Sequence, residues 1–164
     1  MAAVNRSECP VNLAVEVLGD RWSLLVLRDI MFAGKRHYRE LLASDEGIST
    51  KVLAERLRSL TDAGLLSRDE DPAHKQKVIY SLTERSIALV PVLVQLGVWG
   101  HRELGADDRL SSYAETLDQG GRSLQEAFMD DLRKAHLGPR ARHRARGERP
   151  TLQLTEAPRS SPRN

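Results

Sequence analysis

The stretch GISTKVLAERLRSLTDAGLL at residues 47–66, followed by KVIYSL at residues 77–82, sets the architecture of this chain. Ser49 has the side-chain oxygen that caps a helix start. Leu53, Leu57 and Leu60 recur one turn apart, and Gly64 supplies a stop. On a projection of 100° per residue the three leucines share one face. Lys51, Glu55, Arg58 and Asp62 lie opposite them, with Ala54 and Ser59 on the flanks. Residues 65–70 and 77–82 read as two short strands. The polar, proline-containing residues 71–76 between them suit a hairpin loop longer than two residues, so the pair forms a small wing.

Upstream, residues 10–19 place Leu13, Ala14, Val17 and Leu18 at helical spacing between Pro10, suited to a first turn, and Gly19, suited to a stop. Residues 21–32 carry Trp22, Leu25, Val26 and Ile30 around most of a helical circumference, which predicts a buried spine. Residues 36–44, with Tyr38, Leu41 and Leu42, predict a short third helix closed by Asp45, Glu46 and Gly47.

Downstream, Thr83 caps a helix over residues 84–104. Pro91 should bend it, and Gly97 and Gly100 weaken it. Its apolar residues fall on nearly every side, which one small domain cannot cover, so a second chain is implied. Ser112 with Glu115 and Ser123 with Glu126 have the spacing of capping boxes. They predict two accessory helices, the second lined by Leu124, Phe128 and Leu132. From residue 137 onward Gly, Pro, Arg and Ser dominate, and so little apolar surface cannot repay the entropy of folding. The expected organisation is one domain over residues 1–106, a helical extension over 107–136 and a disordered, solvated basic tail over 137–164.

The 164 residues suffice for one core with appendages, and their 40% hydrophobic, 29% charged and 4% aromatic content suits a helix-rich globular protein. No apolar run approaches the roughly 18 residues of a membrane span, and no secretory pattern follows Met1. The expectation is a soluble, cytoplasmic protein without membrane association. Cys9 is the single cysteine, and the five histidines include no pair at helical ligand spacing, so neither a metal nor another cofactor is expected. Nucleophile elbow, phosphate-binding glycine loop and paired His/Cys motif are all missing, which argues against an enzyme. The net charge of +2 is uneven. Residues 137–164 hold seven arginines against Glu148 and Glu156, leaving the rest of the chain at −3.

Three helices, a hairpin and a further helix are the ordered parts of a winged helix-turn-helix: a mainly α fold with a small β-hairpin and, here, dimerisation helices. In that arrangement the helix opening at Ser49 enters the major groove of duplex DNA. Thr50, Lys51, Ala54, Glu55 and Arg58 then face base edges, while Ser49 and the first helical N–H groups can hold a phosphate. For Arg56, beside the buried face, bridging protein groups and touching DNA both stay open. His74, Lys75 and Lys77 in the wing, and Arg36 and Arg39 by the third helix, are expected on the phosphate backbone. Taken alone, residues 49–63 would also suit an amphipathic helix with a solvated charged face; the helix–strand–strand order favours DNA.

Residues 9–100 resemble the HxlR-type family of bacterial winged-helix regulators. The likeness is carried by CPVNLAVEVLGDRWSLLVLRDI (9–30), YREL (38–41), the stretches at 47–66 and 77–84, and Trp99 with Gly100. The resemblance implies a cytoplasmic homodimeric transcription factor built on the first helix and the long helix after the wing; the expected function is a repressor that occludes a promoter, with an inverted repeat as its operator. Departures are Tyr38 for the usual Phe, His37 for Arg, Lys75 and Gln76 for a Pro pair, and Ala54 for a small hydroxyl residue, which should alter operator preference. By the same resemblance Cys9 stands where oxidant- and electrophile-sensing members carry a reactive thiol; a lone cysteine at a helix start also serves as an inert small hydrophobe, and Glu8 disfavours a thiolate. Trp22 and Trp99 suit core or interface packing, with a small-molecule effector pocket as the other reading. The rival function is a protein-interaction module that keeps the winged fold without specific DNA binding.

Overall fold

The computed structural model describes residues 7–71 and 74–138, and for residues 74–76 and 108–110 the backbone alone. In chain order the elements are α1 (Pro10–Leu18), α2 (Ser23–Ala33), α3 (Tyr38–Leu42), α4 (Thr50–Asp62), β1 (Leu66–Asp71), β2 (His74–Leu82), α5 (Glu84–Ile87), α6 (Val90–Leu104), α7 (Asp108–Gln119) and α8 (Gly121–His136). The fold is mainly α with one antiparallel hairpin, as the sequence predicts.

Local chemistry sets the element ends. Ser49 Oγ accepts the Val52 N–H (3.3 Å) at the start of α4. At its end Gly64 adopts φ +70°, and the Leu65 N–H turns back onto the Leu60 carbonyl (2.9 Å), so the chain reverses directly into β1. The spine is α2, whose Leu27, Ile30 and Met31 are fully buried. Leu53, Leu57 and Leu60 of α4 join them in one cluster with Leu66, Leu82, Ile87 and Val94. The α1 helix differs, for none of its residues is buried.

Three local expectations need correction. Pairing runs from Leu66↔Leu82 to Asp71↔His74, so the strands consume most of the expected six-residue loop. The cause lies at Asp71, which is buried with its Oδ2 3.0 Å from His37 Nε2 and so belongs to the strand end. The helix after the wing is broken, not bent. Pro91 sits in the first turn of α6, where its missing N–H costs nothing, while its ring would clash with a carbonyl of a continuing helix, and the preceding turn, α5, stops at Ile87. Ser112 and Ser123 lie inside α7 and α8. The first of these helices opens earlier, with the Ser111 N–H on the Asp107 carbonyl (3.0 Å), and the second starts at the Gly120–Gly121 turn.

The α7 and α8 helices complete the core. Leu117, Phe128 and Leu132 are fully buried, and Phe128 stacks on Phe32 of α2 at 5.6 Å. The α7 helix lies so close to α6 that a Cβ on Gly97 would stand 2.6 Å from the Ala114 Cβ. The α8 helix ends against the base of the wing, where His136 Nδ1 accepts the Leu82 N–H (3.2 Å). The expected basic tail falls almost wholly on residues 139–164, which lie outside the described residues.

Burial, reinforced by the nearby Arg36 charge, pulls the His136 imidazole down to about 3. The unfolded chain therefore takes up this proton first. The stability His136 contributes is complete above pH 6.5 and is lost as pH falls toward 3. Between pH 7 and pH 5 the loss should be about 2 kcal/mol. Urea unfolding should show it, and His136→Gln, which keeps an acceptor for Leu82, should flatten the pH dependence; an equally steep variant would show that His136 is not the titrating group.

Candidate nucleic-acid interface

Burial of the leucine stripe leaves the opposite face of α4 in solvent. Ser49, Thr50, Lys51, Ala54, Glu55 and Arg58 are all exposed. Ser49 Oγ is occupied by capping, so the N–H groups of Thr50 and Lys51, which have no acceptor within the helix, present the positive end of α4. Arg39 on α3 and Lys77 on β2 are exposed as well. His74 and Lys75 carry side chains outside the described residues.

Arg36 is a correction. It is only 8% exposed, and its guanidinium donates to the Tyr80 carbonyl (3.2 Å), to the Ala135 carbonyl (3.3 Å) and to Ser81 Oγ. Its own carbonyl accepts the Tyr80 N–H (2.9 Å). A side chain that satisfies the end of α8 and the middle of β2 is spent inside the protein, and withdrawing it to reach a phosphate would strand buried carbonyls.

The orientation of α4 comes from polar contacts that sequence reasoning missed or left open. Arg56 bridges protein groups: Nη1 lies 3.1 Å from Asp20 Oδ2 and Nη2 lies 3.2 Å from Glu55 Oε1. Asp20 also accepts the N–H groups of Trp22 (2.8 Å) and Ser23 (3.0 Å) at the head of α2; an Asp just before an apolar run is a signal that could have revealed it. Tyr38 Oη donates to the Thr50 carbonyl (2.8 Å), tying α3 to the first turn of α4. Buried Asp29 on α2 gathers Arg28 (2.6 Å), Lys35 (2.9 Å) and Ser44 Oγ, while Arg28 also holds Glu46 (2.5 Å) and keeps its carboxyl below the ordinary range. Together these contacts fix the turn that delivers α4, and no spacing rule links Asp29 to Ser44.

Trp22 packs partly buried against the core, whereas Trp99 on α6 is 56% exposed. A crevice of about 530 Å³ lies between α1 and α4, lined by Asn12, Glu16, Asp20, Arg56 and Ser59 among others, and neither tryptophan lines it. Cys9 occupies the N-cap position of α1, its side chain making no capping hydrogen bond, and is exposed. The backbone N–H groups of Asn12 and then Val11 at the helix start draw its thiol below the ordinary value.

Comparison with known proteins supports the same architecture. An HTH-type transcriptional regulator of Synechocystis, sll1512, is 40% identical over 99 residues, covering 60% of this chain and 69% of that protein. YodB of Bacillus subtilis, also an HTH-type transcriptional regulator, is 35% identical over 92 residues, 56% of this chain and 81% of its own. The reduced YodB structure superposes with a TM-score of 0.50 at 31% identity, covering 62% of this chain and all of YodB. The redox regulator HypR in its reduced form gives 0.51 at 30% identity, over 58% of this chain and 95% of HypR. These relatives are regulators, not enzymes. The model of the HxlR-like helix-turn-helix family matches residues 17–108, and with more than half of its length inside that match the chain belongs to this family of transcriptional regulators.

Proposed function

We propose that this chain is a homodimeric, sequence-specific DNA-binding repressor that acts in the cytoplasm by occluding a promoter. The observation that carries the reading is the solvent-facing surface of α4, with Thr50, Lys51, Ala54, Glu55 and Arg58 exposed behind a fully buried leucine ridge. Base edges meet these residues in the major groove, and Arg39, Lys77 and the wing residues His74 and Lys75 contact phosphates. Residues 1–106 form the reading and dimerisation unit, 107–136 brace it, and 137–164 form a basic tail. The second copy covers the apolar surface of α1, where Val11 is 69% exposed and Val15 is exposed as well, together with Val92, Leu96 and Trp99 of α6. Two copies place their α4 helices in successive major-groove faces about 34 to 36 Å apart, so the operator is an inverted repeat. The crevice between α1 and α4 is the proposed seat of a small-molecule effector.

Selection from randomised duplexes should enrich an inverted repeat. Lys51→Ala and Arg58→Ala should each lose about 1 to 3 kcal/mol of discrimination at single positions, whereas Lys77→Ala should weaken all sequences alike. Enrichment of no repeat would favour the protein-interaction module instead. On a sizing column the wild type should elute as a dimer and Trp99→Glu as a smaller species; identical elution of the two would remove α6 from the interface. The lowered Cys9 thiol, together with the redox regulation named for HypR, supports oxidant or electrophile response through Cys9. Diamide should shift operator affinity of the wild type and leave Cys9→Ser unaffected, and an equal response would exclude the thiol.

A further inference from the structure

We propose that the crevice between α1 and α4 takes a small aliphatic carboxylate, which displaces Glu55 from Arg56 and so weakens operator binding; the proposal rests on the effector and DNA-reading roles given above. The first observation is an imbalance of hydrogen-bonding groups on the crevice walls. Asn12 Nδ2 is buried without a hydrogen-bond partner. The last torsion of an Asn side chain is broad, so a small rotation turns this donor into the crevice. On the α4 wall the Ser59 hydroxyl has no hydrogen-bond partner among the described residues, and Arg56, with five N–H groups, meets only Asp20 and Glu55. The acceptors of the same crevice are spoken for. Asp20 receives the Trp22 and Ser23 N–H groups, the Ser23 hydroxyl and Arg56, and Glu16 is engaged as well. A ligand that satisfies these walls therefore brings acceptors.

The second observation is that Arg56 selects the acceptor. Both of its partners are carboxylates, and its planar fork suits two oxygens side by side. A ligand carboxylate in the place of Glu55 leaves the charge around the guanidinium the same, and Glu16 is exposed, where solvent and salt screen it. The remaining lining includes Val17 and Ala63 and no aromatic side chain, which suits an aliphatic body, and about 530 Å³ holds a molecule of this size. The third observation is that Glu55 is the partner able to leave. Its side chain is 52% exposed, and Arg56, the next residue, is its one ion pair among the described residues, whereas Asp20 is also held by the head of α2. Exposed pairs of this kind contribute little. Glu55 lies on the reading face of α4. Released from Arg56, its carboxylate turns an uncompensated negative charge toward DNA phosphates, and operator affinity falls.

The test titrates cyclohexanecarboxylate and its neutral carboxamide into the full chain by calorimetry. The acid should bind with a dissociation constant of about 1 mM or tighter, and the carboxamide about tenfold or more weakly. Asn12→Asp, which turns the orphaned donor into a like charge, and Ser59→Ala should both weaken the acid, the first by about tenfold or more. In fluorescence anisotropy on the selected duplex at matched ionic strength, saturating acid should lower operator affinity by about threefold or more, and Glu55→Gln should lose this response. Equal binding of acid and carboxamide, or binding of neither, would overturn this proposal and leave the DNA-reading role standing. Acid binding with operator affinity unaltered would overturn the displacement of Glu55. A wild type that takes the acid but binds no duplex would overturn the DNA-reading role and, with it, the operator half of this proposal.

Discussion

The buried ridge formed by Leu53, Leu57 and Leu60 is the constraint on which the rest depends. Each of these side chains is worth a few kcal/mol of burial, and truncating one to Ala would leave a cavity in a cluster shared with α2 and the hairpin. A helix held by one face cannot rotate without exposing that face, so seating the leucines simultaneously determines which residues solvent and a partner can touch. Lys51, Glu55 and Arg58 are exposed because of where the leucines go.

Hydrophobic burial fixes the rotation of α4 but leaves its position along its own axis less constrained, and polar contacts supply that information. Tyr38 holds the first turn, Arg56 ties the middle to Asp20, and the group around Asp29 sets the approaching loop. Of these groups Asp29 is buried, and a buried polar group contributes modestly to net stability but penalises alternative geometries because an unmade bond in the interior is costly. Arg36 does the same for the wing by joining α8, β2 and the start of α3. The helices beyond the family-matched region are thus attached to the part of the molecule that would face DNA, as well as to the core through Phe128 and Leu132.

The apolar residues of α1 and α6 follow a different logic from those of the core. Val11, Val15 and Trp99 are well formed on regular helices yet remain in solvent. Cys9 stands at the head of α1, so a change in its chemistry would act at the edge of the surface proposed for the second copy.

The first four helices, the leucine ridge, the exposed face of α4 and the hairpin were legible in the sequence, because spacing of 3.6 and 2 residues, caps at Ser49 and Thr83, and stops at Gly19 and Gly64 are local properties. The fate of Arg36, the burial of Asp71, the alliance of Asp29 with Ser44 and the docking of His136 under the wing were not, because each depends on groups brought together from distant parts of the chain. An arginine in a basic stretch reads the same whether it meets a phosphate or a buried carbonyl. Packing chooses between them, since desolvating the guanidinium is tolerated where several acceptors converge on it and nowhere else.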